Sequence, residues 1–106
     1  MMKHAPSHGH RWTPTDHHGV EIALLDAHPG GGVTLLTRFA AGVRGGRHNH
    51  PGGEELYILS GRCTLDDLTL APGDFVATPP GASHELVALE ETVVLVRLPV
   101  LPVYES

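Results

Sequence analysis

Apolar residues along this chain fall in short runs separated by glycine and proline, and no segment repeats them every 3.6 residues. That pattern predicts many short strands and almost no helix. Trp12 to Thr15 reads as a short edge strand, because Pro14 suits an edge rather than a centre. Trp12 is then available to cover one end of the core. After a turn at His17-His18-Gly19, Val20 to Leu25 is the next strand, with Ile22 and Leu24 on one face. A flexible turn from His28 to Gly32 leads to a strand from Val33 to Ala41. Its two faces are Leu35, Thr37, Phe39 and Thr34, Leu36, Arg38; the pattern leaves open which of them points inward.

Glu55 to Leu59 is a strand on which Leu56 and Ile58 share a face with Glu54, while Tyr57 and Leu59 take the other. Arg62 to Leu65, a hairpin turn at Asp66-Asp67, and Leu68 to Leu70 follow. Ala71-Pro72-Gly73-Asp74 is a tight turn. Phe75 to Thr78 is a strand that stops at Pro79, and His84 to Leu89 is another, with Leu86 and Ala88 on the side of His84. Beyond an exposed turn at Glu90-Glu91, Val93 to Leu98 is apolar on both faces except at Arg97. Pro99 to Ser106 carries two prolines and is expected to be irregular. The organisation expected is a flexible His-rich tail over residues 1–11 and one all-β domain over residues 12–106, closed as two antiparallel sheets.

Composition narrows the function classes. The 106 residues fit one domain. A net charge of −5 with a single lysine, Lys3, and no cluster of Lys and Arg argues against a nucleic-acid partner. There is no 18-residue apolar run to span a membrane, and Met1 to Arg11 lacks the apolar stretch of a signal peptide. Cys63 is alone, so no disulfide forms within the chain, and a cytoplasmic location is the simplest reading.

The chemistry concentrates between Gly42 and Ala88. His48 and His50 stand two apart, so on an extended strand both point to one face. The turn Pro51-Gly52-Gly53 brings Glu54 back beside them, and His84 must arrive from a separate strand. Three neutral imidazoles and a carboxylate suit one divalent transition metal, Fe, Mn, Ni, Cu or Zn. Glu55 is the rival carboxylate, but alternation points it outward. Glu54 left unbound would instead be a general base. Arg38 and Arg97 are candidates to enter the cavity and grip a substrate carboxylate; the plainer reading of both is an exposed strand residue. His4, His8 and His10 read as part of a mobile tail more readily than as metal ligands. Cys63 reads as a packed core residue and Tyr57, by parity, as facing away from the site.

These residues resemble the cupin superfamily. Gly42, His48, His50, Glu54 and Gly61 match every position of its first motif, and Gly73, Pro79, Gly81 and His84 match the second, where Ala88 replaces the usual Asn. The resemblance implies a single-domain jelly-roll β-barrel with metal ligands His48, His50, Glu54 and His84 around one ion inside it. Leu56, Ile58 and Leu86 would wall the pocket, and a homodimer is expected. The run His-x-His-Pro-Gly-Gly-Glu-Glu followed by Pro-Pro-Gly-x-Ser-His is similar to cupins of ChrR-type anti-sigma factors and to small dioxygenases. One implied function is therefore a non-haem Fe(II)-type dioxygenase, or an isomerase or lyase, acting on a small oxygenated organic molecule. The other is a zinc-bound sensor or ligand-binding module without catalysis. The short tail before the barrel in place of a sigma-binding domain is expected to favour a stand-alone enzyme.

Overall fold

The computed structural model describes residues 1–104. Among these the only helical turn is a three-residue 3-10 turn, Ser7–Gly9. The strands in chain order are β1 Thr13–Pro14, β2 Val20–His28, β3 Gly32–Phe39, β4 His48–Asn49, β5 Glu54–Ser60 and β6 Cys63–Leu65. They continue with β7 Leu68–Leu70, β8 Phe75–Thr78, β9 Ser83–His84, β10 Leu86–Ala88, β11 Thr92–Leu98 and β12 Val103–Tyr104. All pair antiparallel. One layer is a six-stranded sheet in the order β1-β2-β3-β11-β5-β8. The other consists of two three-stranded pieces, β10-β6-β7 and β12-β4-β9. This is the jelly-roll architecture of a cupin, as the motifs imply.

The apolar pattern explains the layering. β11 lies between β3 and β5, so its face toward the second layer, Val94, Val96 and Leu98, is buried. Leu56 and Ile58 of β5 meet Cys63, Leu65 and Leu86 from the other layer in one apolar cluster. On β5 the residues alternate buried and exposed from Glu54 to Leu59, as period-two patterning requires. On β3 the sequence left the inner face open, because Leu36 is as buried as Leu35. The structure turns Leu35, Thr37 and Phe39 inward. The β6–β7 hairpin turns on Asp66, whose φ of 49° lies in the left-handed region that Asp tolerates.

Several boundaries differ from expectation for identifiable reasons. β2 runs on to His28, past Leu25, because it stays paired with β3 beyond a bulge at Leu25. Leu24, next to that bulge, is exposed. The strand expected from His84 to Leu89 divides at Glu85: Ser83–His84 pairs with β4, and Leu86–Ala88 pairs with β6. The C-terminal stretch expected to be irregular resumes an extended path after Pro102, and Val103–Tyr104 pairs with β4. The last two residues of that stretch lie outside the described residues.

Gly61 shows how closely the chain leaving β5 approaches the start of its neighbour β11 in the same sheet. Its φ is +86°, and a Cβ there would collide with the Glu91 carbonyl oxygen and lie 2.7 Å from Thr92 Cα. Gly61→Ala therefore combines left-handed strain with a backbone clash. We expect it to lower unfolding stability by about 2–4 kcal/mol, measured by denaturant titration. A variant indistinguishable from the parent would contradict this packing.

Candidate metal centre

Strand register brings the four motif side chains together. His48 and His84 are direct partners across β4 and β9. The backbone of His50 joins the two distant motif segments. Its N–H donates to Ala82 O at 3.0 Å, and its carbonyl accepts from Gly81 N at 2.8 Å and Gly53 N at 3.0 Å. Gly53, at φ +81°, makes the reversal that starts β5 with Glu54 pointing inward. Thr78 is Glu54's partner on β8.

One donor atom from each of His48, His50, Glu54 and His84 lies within 4.8 Å of the others. His50 Nε2 and His84 Nε2 are 2.8 Å apart. Glu54 places Oε1 3.1 Å from His84 Nε2 and Oε2 3.4 Å from His50 Nε2. His48 Nδ1 donates to the Gly46 carbonyl at 2.7 Å. A carbonyl only accepts, so that proton sits on Nδ1 and leaves the Nε2 lone pair free. His84 Nδ1 is likewise held, 3.2 Å from Thr78 Oγ1.

His50, His84 and Glu54 are buried and His48 half-buried. Burial pushes the His50 imidazole down to about 4, against an ordinary value of 6.5, with His48 and His84 nearby adding to the effect. Burial also lowers His48. Both rings are thus neutral near pH 7 and able to offer lone pairs. Glu54 Oε1 is buried and accepts no hydrogen bond among the described residues. An acceptor left dry in this way is costly unless a cation compensates it. The spacing fits such an ion: two nitrogens about 2.1 Å from a common centre and at right angles lie roughly 3 Å apart. His50 Nδ1, on the other edge of its ring, is also buried without a partner.

A cavity of about 490 Å³ opens beside the cluster. Leu56 and Leu86 line it, as expected from the strand pattern. Other candidates stand elsewhere. Ile58 is fully buried in the apolar cluster and does not line the cavity. Its parity is inward, but it lies two residues further from Glu54 than Leu56, where side chains fill the interior. Arg38 does not enter the cavity. It binds Glu21 through Nε and Nη2 at 3.1 and 2.8 Å and lies 4.1 Å over the Trp12 ring. Arg97 pairs with exposed Glu55 at 3.3 Å. Both arginines alternate with inward residues and so face out. Tyr57 is exposed, and Cys63 is fully buried with its thiol pushed up to about 11 by burial. His4, His8 and His10 join no metal-type cluster among the described residues.

Several cavity residues, Tyr104 and His17 among them, escaped the sequence reading. Tyr104 pairs with His48 across β12 and β4, and their rings are 4.9 Å apart. The His17 ring lies tilted against that of Tyr104, with centroids 4.7 Å apart. Both line the cavity. Neither belongs to a motif, and only the register of a distant strand places Tyr104 there.

Residues 3–99 match the family model described as the ChrR Cupin-like domain. No curated protein matches the chain in sequence. Among solved structures, an RmlC-like cupin protein from Ralstonia eutropha JMP134 is similar with a TM-score of 0.86 at 18% identity, covering 95% of this chain and 70% of that one. An acetylacetone dioxygenase from Acinetobacter johnsonii gives 0.77 at 17% identity, covering 92% and 72%. The anti-sigma ChrR of Rhodobacter sphaeroides, in complex with SigE, gives 0.75 at 23%, covering 88% of this chain and half (50%) of that chain. At these identities the likeness is one of fold.

The depressed His50 value has a signed consequence. Below about pH 6.5 the unfolded chain takes up a proton that folded His50 refuses until about pH 4. This contribution to stability is complete above pH 6.5 and is lost as the pH falls toward 4. We expect the metal-free protein to be less stable to denaturant at pH 5 than at pH 7, with NMR showing the His50 ring still neutral at pH 5. A His50 resonance titrating at its ordinary value would contradict the burial argument.

Proposed function

We propose, from the premise that this chain belongs to the ChrR cupin-like domain family, that it is a metal-dependent enzyme of the dioxygenase type acting on a small oxygenated organic molecule. The observation that carries the reading is the meeting of His48, His50, Glu54 and His84 at the side of a small-molecule-sized cavity. In this reading those four side chains hold one divalent transition metal, with iron as the redox-active choice among Fe, Mn, Ni, Cu and Zn. When bound, such an ion supplies Lewis acidity and, as iron, oxygen chemistry at the positions the protein leaves open.

The chain's own residues perform the remaining tasks. The Gly46 carbonyl and the Thr78 hydroxyl orient His48 and His84. Leu56 and Leu86 keep water from the donor atoms and so preserve the field there. With Glu54 holding the ion, substrate deprotonation falls to the electrostatic pull of the site itself or to a side chain on the cavity wall such as His17.

A second reading, a zinc-bound sensor or ligand-binding module without turnover, draws on the ChrR description of the matching family model. The proposed domain division, a barrel over residues 12–106, serves either reading, and residues 105–106 lie outside those described. Residues 1–11 are an appended tail, from which Lys3 Nζ reaches Asp26 at 2.6 Å. A cytoplasmic homodimer completes the proposal. Support for pairing comes from exposed Tyr57, Leu59 and Phe75 beside β8, the strand that ends the larger sheet.

The test is elemental analysis of the purified protein joined to oxygen uptake on a panel of β-diketones and catechols. About one iron per chain with uptake is expected, and His84→Ala should lose metal and uptake together, uptake falling by at least about 100-fold. Tightly held zinc with no turnover would overturn the enzyme reading in favour of the second.

A further inference from the structure

We infer that the ligand of this cavity presents oxygen to the four-residue cluster and is otherwise apolar and uncharged, so that the site rejects molecules carrying a second, distal anionic group. The inference rests on the metal-site reading above and adds the class of molecule it serves.

The distribution of charge is the argument. None of the seven Lys and Arg residues lines the cavity. Arg38, Arg44, Arg47, Arg97 and Lys3 are each committed to a carboxylate outside it. The ionisable carboxyl groups on its wall are Glu54, inside the cluster, and Asp16, exposed at the mouth. Between them the wall is built from strands β2, β3 and β11 by residues such as Ile22, Leu35, Phe39, Val94 and Val96. The other polar side chains on the wall outside the cluster are Thr15, Thr37 and the adjoining rings of His17 and Tyr104. A distal carboxylate or phosphate would leave water there, meet no lysine or arginine, and face an apolar wall whose one carboxylate outside the cluster is Asp16. An alkyl or aryl body gains from the same surface. The cavity of about 490 Å³ is within the range of sites that enclose small organic molecules.

The probe is a matched pair sharing one chelating head: 1-phenylbutane-1,3-dione and its para-carboxylate. Binding of each to the full-length, metal-replete protein is followed by calorimetry, with metal occupancy measured on the same sample. The neutral compound is expected to bind at least tenfold more tightly. Leu101 lines the cavity from an exposed position, so Leu101→Lys places a cation at the opening without disturbing the core. That variant should narrow the ratio by raising affinity for the carboxylate. Equal or tighter binding of the carboxylate by the parent protein overturns this inference and leaves the metal reading in place. The same holds if neither compound binds to a fully metallated sample. A sample that retains no metal overturns the underlying reading, and this inference with it.

Discussion

The pairing of a two-residue strand with another of equal length governs this molecule. His48–Asn49 and Ser83–His84 lie side by side, and the backbone of His50 is bonded to Gly53, Gly81 and Ala82. These few bonds hold together segments more than thirty residues apart and place three imidazoles and a carboxylate in contact. Without them the four polar side chains would be separately solvated. With them, His50, His84 and Glu54 are buried next to an apolar core. Dry imidazole and carboxylate groups that close together oppose folding unless something shared compensates them. The cluster's own geometry, with donor atoms of His50, His84 and Glu54 2.8 to 3.4 Å apart and all four within 4.8 Å, is consistent with a shared cation in that role.

The rest of the barrel isolates this unfavourable arrangement and makes it usable. The six-stranded sheet turns its apolar faces toward the cavity and sends its arginines outward to Glu21 and Glu55. Positive charge is thus kept away from the imidazoles, whose neutrality burial already favours. The second layer closes the core from the other side with Leu65 and Leu86. A site with one charged pole and otherwise apolar walls discriminates by polarity as well as by size.

Much of this was legible in the sequence, because ligand spacing and strand parity are local properties. His48, His50, Glu54 and His84 were identifiable from their separations, and alternation alone put Leu56 on the inner wall. The same parity could not show that Ile58 sits within packed core, since depth along a strand depends on what the opposite layer supplies. Nor could it orient β3, whose two faces are both apolar enough to bury, so Arg38 stayed ambiguous until its pairing with Glu21 was seen. Tyr104 and His17 were invisible for a different reason. Tyr104 reaches His48 through pairing between distant segments, after a stretch whose prolines argued for irregular chain, and His17 comes in from the turn before β2 to meet the Tyr104 ring. Long-range register leaves no periodic trace in a single sequence.

The most direct measurement is X-ray absorption and anomalous diffraction at the metal edge of crystals of the full-length protein. The account requires one ion, coordinated by nitrogen from residues 48, 50 and 84 and by an oxygen of the carboxylate at 54. An ion bound elsewhere, or these four side chains fully ordered around no scatterer in metal-replete crystals, would contradict it.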